Sequence, residues 1–113
     1  KVIRKELSQK TFDILFTHGV NGEYGHPRHK GVHLAVRQMF EKKELRAKAV
    51  FFFSYQLDKQ KRIAIPRERS PFCVELSNKE WKAKRNVIKQ LYGFRPHTFE
   101  NCSCAKVETF RSI

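Results

Sequence analysis

Three of the chain's five histidines fall within eight residues, and this cluster is the strongest chemical signal in the sequence. His26, His29 and His33 follow a glycine-rich segment and lie where a helix is expected to begin, because Pro27 suits a first helical turn. Neutral imidazole is a common zinc ligand, and a catalytic zinc takes about three protein ligands plus an open position for water. The spacing predicts a metal site with His29 and either His26 or His33 as ligands. Histidines that only cap the helix and face solvent are the alternative.

Residues 22–29 resemble the Gly-x-Tyr-Gly-His-Pro-Asp-His signature of the PIG-L/LmbE zinc-dependent N-deacetylases. The likeness is strongest over residues 11–40 and continues loosely through residues 49–55 and the segment after Ser77. The resemblance implies an α/β fold with a Rossmann-like three-layer parallel sheet. It also implies removal of an acetyl group from an N-acetylglucosamine-type sugar or glycoside, with Zn²⁺ as cofactor. Fe²⁺ is the other metal that imidazole and carboxylate ligands accept.

Site residues can be assigned from the same resemblance. His29 matches the metal-ligand histidine, and His26 matches the catalytic histidine that faces the substrate amide. Tyr24 matches the catalytic tyrosine that donates to the carbonyl oxygen as it becomes an oxyanion. These residue types suit the reaction, because a donor aimed at an oxyanion stabilises the transition state and the departing amine needs a proton.

Two departures from the family pattern affect this reading. Arg28 stands where the family has an aspartate, so this position cannot serve as an acid; Arg28 could contact an anionic group of the substrate or point into solvent. The family's His-Pro-Asp-Asp segment, which supplies two metal ligands and the general base, is absent, and no obvious carboxylate ligand lies near the histidines. We therefore expect residues 1–113 to form the C-terminal part of a single deacetylase domain.

Hydrophobic patterning predicts the elements that position this site. Residues 12–17 form a short apolar run typical of a buried strand, and residues 18–27 form a loop rich in turn residues. A helix beginning near Pro27 carries apolar residues at helical spacing and ends in the charged run 41–44. Residues 49–55 are apolar on both faces, which favours a strand covered on two sides. Strand, helix and strand in this order favour a parallel sheet.

The second half of the chain is less regular. Residues 62–69 indicate a loop or short strand, and residues 72–76 a third strand. Ser77 and Glu80 have the spacing of a capping box, so a helix is expected to follow and to end at Gly93. Residues 94–113 show little pattern and remain unassigned.

Composition limits the classes of protein that this chain can represent. With 113 residues and a formal charge of +13, it has room for one domain and would attract nucleic acid, anionic lipid or phosphorylated ligands. A non-catalytic basic binding module and a degenerate family member without metal are therefore the alternatives. Nucleic acid is the less favoured partner, because it leaves residues 22–29 unexplained. Three cysteines indicate a reducing, cytoplasmic compartment, and no apolar run approaches the ~20 residues of a membrane span.

Overall fold

A four-stranded mixed sheet, a separate two-stranded hairpin and five helices make up the chain in a computed structural model that describes all 113 residues. The helices are α1 (Val2–Leu7), α2 (Gly22–Gly25), α3 (Pro27–Glu41), α4 (Asn78–Asn86) and α5 (Phe99–Cys102), with a π-helical turn at Val87–Leu91. The strands are β1 (Thr11–Thr17), β2 (Arg46–Phe53), β3 (Tyr55–Asp58), β4 (Ile63–Pro66), β5 (Phe72–Glu75) and β6 (Val107–Ser112).

The main sheet has the strand order β1-β2-β6-β5. β1 and β2 pair in parallel and are connected through α3, which confirms the predicted strand–helix–strand unit. β6 pairs antiparallel with both β2 and β5, so the other three strands all run in one direction. The α/β class is confirmed, but the prediction of a wholly parallel sheet is wrong, because the unassigned tail supplies a central strand of opposite direction.

Polar contacts from distant parts of the chain hold β6 in place. Thr109 is only 2% exposed, and its hydroxyl donates to the main-chain carbonyl of Ser54. The carboxylate of Glu108 accepts hydrogen bonds from the hydroxyl of Tyr55 and the ammonium of Lys84. These partners lie 24 to 55 residues away from β6 in the sequence. The local sequence of residues 94–113 therefore contains no pattern that predicts the strand.

Because the phenol of Tyr55 is buried, the protein is expected to lose stability at alkaline pH. Burial raises the pKa of Tyr55, and the hydrogen bond to Glu108 raises it further. The unfolded tyrosine ionises near pH 10 while the folded one stays protonated, so this contribution is present below about pH 10 and is lost above it. Above about pH 10 we expect the free energy of unfolding to fall more steeply with pH in the wild type than in Tyr55→Phe. The difference between the two slopes is up to about 1.4 kcal/mol per pH unit.

Denaturant titrations between pH 8 and 11 measure this difference. Tyr92→Phe is the matched control, because Tyr92 is 71% exposed. Parallel pH profiles for the wild type and Tyr55→Phe would contradict the assignment.

The apolar core lies between α3 and one face of the sheet. Val36 and Met39 of α3 pack with Leu45, and apolar side chains of α1 and β1 surround them. The opposite face carries Phe16, Phe51, Phe72 and Phe110, and Phe16 is 53% exposed there. Within these 113 residues only the face of β2 that packs against α3 is covered. The prediction that both faces of β2 are covered is therefore wrong.

The helices keep most of their predicted boundaries. α3 begins with Pro27 in its first turn, and α4 has a complete capping box between Ser77 and Glu80. Gly93 follows the π-helical turn with φ +72°, a conformation in which glycine avoids the strain of a side chain. None of the helices is both long and apolar enough to span a lipid bilayer.

Candidate functional site

The loop that leaves the carboxyl end of β1 is fixed by its own backbone and by the hairpin beside it. A Cβ at Gly19 would lie 2.3 Å from the carbonyl oxygen of Phe53, so this close approach requires glycine. Asn21 donates through Nδ2 to the main-chain oxygens of Tyr55, at 2.8 Å, and Glu23, at 3.2 Å. The loop is thus tied to β2 and β3 at the edge of the sheet where ligands of open α/β folds bind.

Glu23 is the centre of the hydrogen bonding in this loop. Its Oε1 accepts the main-chain N–H of Gly19 at 2.7 Å. Its Oε2 lies 2.9 Å from Nδ1 of His18 and 2.6 Å from Nδ1 of His29. An ionised carboxylate only accepts hydrogen bonds, so both Nδ1 atoms carry the hydrogen and both Nε2 atoms keep a lone pair. One carboxylate therefore sets the tautomer and the orientation of two imidazoles.

The backbone at Glu23 is strained. Its φ of +61° and ψ of −57° interrupt α2 and lie in a region that residues with a side chain rarely adopt. Such conformations cost on the order of 1–3 kcal/mol and persist where surrounding contacts enforce them, often at functional sites. Here the three hydrogen bonds of the carboxylate are the contacts that hold the residue in place.

Three imidazole rings form a stack above this carboxylate. The ring centroids of His18 and His29 are 3.9 Å apart, and those of His29 and His26 are 4.3 Å apart. The Tyr24 ring meets both His26 and His29 edge-on and rests on Phe99 with a centroid separation of 4.4 Å. The predicted residues Tyr24, His26 and His29 are therefore in one place.

The Tyr24 hydroxyl keeps its proton at neutral pH. Burial raises the pKa of Tyr24, and the carboxylates of Glu100 and Glu23 raise it further. A protonated phenol is a hydrogen-bond donor, which is the form required to stabilise a developing oxyanion.

His26 has a buried nitrogen without a partner. It occupies the N-cap position of α3, yet its side chain makes no capping hydrogen bond. Its Nδ1 is the one buried side-chain polar atom in the chain that lacks a hydrogen-bond partner. Buried polar atoms are nearly always paired, so an unpaired buried nitrogen is unusual and marks His26 as a candidate functional residue.

Two other residues from the sequence analysis lie outside the stack. His33 is buried against Phe52 and donates from Nδ1 to the main-chain carbonyl of His18 at 2.9 Å, so it supports the loop from below. Arg28 is exposed and lines the groove between α1 and α3 with Lys1 and Arg4. Its contact with a substrate anion stays a prediction.

Sequence reasoning missed His18 and Glu23, and the expectation that no carboxylate lies near the histidines is wrong. Glu23 is within the motif itself, only six residues before His29. Its role depends on the turn at Gly22–Gly25, which reverses the chain and directs the carboxylate back toward both imidazoles. The sequence did contain one indication of this role: Glu23 lies between two glycines, and glycines favour a tight turn that brings nearby residues together.

The side chains at this site have the chemistry of a metal centre. His18, Glu23 and His29 each offer a ligand atom, and these atoms lie within 4.8 Å of one another. Oε2 of Glu23 is hydrogen-bonded to Nδ1 of both rings, so the imidazoles would hold a metal through Nε2 with the carboxylate behind them. The unpartnered Nδ1 of His26 lies in the same stack. The residues present therefore fit a divalent metal such as zinc.

Neither a protein-family model, nor a curated protein, nor a solved structure matches this chain.

Proposed function

We propose that the chain carries part of the active site of a metal-dependent N-deacetylase of the PIG-L/LmbE kind, acting on an N-acetylglucosamine-type sugar or glycoside. The observation that carries the proposal is the Glu23 carboxylate, which bridges two imidazoles directly beside Tyr24. A carboxylate behind a histidine is a common way to orient a metal ligand. The resemblance of residues 22–29 to the family signature, which departs from it at Arg28, suggests the reaction.

His29 would hold the metal through Nε2, and His18 offers a second Nε2 from the same carboxylate. Glu23 accepts the Nδ1 hydrogen of both rings, which prevents either ring from flipping and leaves both Nε2 lone pairs free. Bound there, Zn²⁺ or Fe²⁺ supplies a Lewis acid and lowers the pKa of a coordinated water.

Tyr24 and His26 act on the acetamide. The Tyr24 hydroxyl donates a hydrogen bond to the carbonyl oxygen as negative charge develops on it, and its raised pKa keeps that hydrogen in place. The resemblance assigns His26 to proton exchange with the substrate, and its buried Nδ1 makes no competing hydrogen bond within the protein. It delivers the proton that the amine needs to leave.

The proposal also includes features that lie outside residues 1–113. It includes a His-Pro-Asp-Asp segment elsewhere in the polypeptide and a Rossmann-like three-layer fold for the complete domain, favoured by three main-sheet strands that run in one direction. Arg28 is assigned to an anionic group of the substrate. Three free cysteines favour a reducing, cytoplasmic compartment.

Tyr24→Phe tests the reaction separately from the metal. In the complete protein we expect kcat for acetate release from N-acetylglucosamine glycosides to fall about 100-fold, because one oxyanion donor is lost. Zinc content should stay at the wild-type level, since Tyr24 contacts the imidazoles only through its ring edge. Enzymatic detection of acetate and metal analysis of the same sample give both numbers.

Tyr92→Phe is the control, because it removes an exposed phenol outside the site. An unchanged kcat in Tyr24→Phe would remove Tyr24 from the mechanism. Absence of acetate release from the zinc-loaded wild-type protein, across free sugars and glycosides, would reject the deacetylase proposal.

A further inference from the structure

A cavity of about 320 Å³ is lined in part by the loop that follows β1, and none of the stacked imidazoles is among its lining residues. Gly19 and Asn21 of the loop form one wall, and α3, β2, β6 and the segment after β4 form the rest. This volume is within the range of small-molecule sites, which begin at about 300 Å³. The cavity is therefore large enough for a ligand group and is separate from the cluster that would hold the metal.

The charged side chains that line this cavity are all cationic. Arg37 comes from α3, Arg67 from the segment after β4 and Arg111 from β6, and no Asp or Glu side chain lies among the lining residues. Guanidinium groups from three separate elements around one cavity give it a positive potential, which Glu41 offsets only at Arg37. The concentration of positive charge points to an anionic ligand.

The guanidinium groups are positioned to bind a ligand. Arg67 is half-buried, and its Nε donates to the main-chain oxygen of Tyr55 at 3.1 Å, which orients the group and leaves the terminal nitrogens without a protein partner. Arg111 forms no ion pair within the chain. Arg37 pairs with Glu41 through Nε at 2.9 Å and keeps its terminal nitrogens free.

The rest of the lining adds neutral polar groups and one imidazole. His33 donates from Nδ1 to the carbonyl of His18, so its Nε2 is the nitrogen left for a ligand. Ser54 and Ser112 supply hydroxyl groups. A phosphate ester carries up to two negative charges and several acceptor oxygens, whereas a carboxylate is satisfied by one bidentate arginine. Three arginines fit phosphate better than carboxylate.

We propose that this cavity binds the phosphate group of a phosphorylated small molecule, held by Arg67 and Arg111 with Arg37 at its edge. The site goes beyond the proposed deacetylase activity and does not depend on it, because its residues are distinct from Tyr24, His26 and His29. A ligand bound here would lie directly behind the loop that carries His18, since His33 touches both the cavity and the carbonyl of His18.

Calorimetric titration with inorganic phosphate and with methyl phosphate tests the site without any assay of catalysis. We expect saturable binding by the wild-type chain, weakened about 10–100-fold in Arg67→Gln and in Arg111→Gln, because each loses charge-assisted hydrogen bonds. Arg95→Gln is the matched control: it removes the same charge from an exposed position outside the cavity and should change the affinity less than about twofold.

The outcomes separate the phosphate site from its rivals. Equal weakening in Arg95→Gln and Arg67→Gln would show attraction by the overall charge of +13 and would overturn the proposal. Binding to vesicles containing phosphatidic acid, without saturable binding of free phosphate, would overturn it in favour of a lipid surface. A far-ultraviolet circular dichroism spectrum like that of the wild type shows that each variant is folded. Absence of deacetylase activity with phosphate binding intact would reject only the proposed function.

Discussion

Replacing His29 with alanine is expected to reduce zinc in the complete protein from about one equivalent per chain to none. In the proposed site His29 holds the metal through Nε2, because its Nδ1 lies 2.6 Å from Oε2 of Glu23. Removing it takes away the ligand whose orientation is best fixed. The measurement is metal analysis of the purified variant after dialysis, together with a competition titration for the zinc Kd.

His97→Ala is the control for this substitution. His97 is exposed and is not one of the stacked imidazoles, so its loss should leave zinc content unchanged. Full zinc retention in His29→Ala would contradict the assignment of His29 as a metal ligand. Loss of zinc in both variants would indicate nonspecific binding by surface histidines instead of a defined centre.

Glu23→Gln is expected to weaken zinc binding about 10–100-fold, the usual effect of removing a group that orients a metal ligand. The glutamine side chain has one acceptor oxygen in place of two, so it cannot accept from Gly19 and both imidazoles in the same geometry. At least one ring loses its fixed tautomer. The zinc Kd by competition titration measures the effect, and kcat should fall along with the affinity.

Glu68→Gln provides the matched control, because Glu68 is exposed and makes no ion pair. The size of the effect also distinguishes two roles for Glu23. A loss as complete as that in His29→Ala would make Glu23 a direct metal ligand. An unchanged Kd would show that the carboxylate only stabilises the loop, and a thermal melt would then reveal the lost stability.

Local pattern was sufficient to predict the elements around the site. β1, α3 and the capping box of α4 depend on neighbouring residues: an apolar run, helical spacing after Pro27, and a Ser–Glu pair. Local spacing also brings Tyr24, His26 and His29 together, because they share one turn and the first residues of one helix. Interactions within about ten residues are encoded in the spacing itself.

The features that sequence reasoning missed depend on contacts between distant segments or on unusual backbone geometry. β6 is held by Ser54, Tyr55 and Lys84, none of which is near it in the chain. Glu23 faces His18 and His29 only because its own φ is positive, which no propensity of glutamate favours. The three arginines of the cavity come from three elements, so no local charge run marks them.

The position of β6 has a consequence for how the chain folds. Its residues follow every other strand in the sequence, yet it lies between β2 and β5. Until residues 107–112 have left the ribosome, β2 has a partner on one side only and β5 has none, so both expose unpaired edges that favour pairing with other chains. Joining residues 51 and 112 also closes a long loop, which slows folding. We therefore expect the nascent chain to be prone to aggregation until β6 is inserted between β2 and β5.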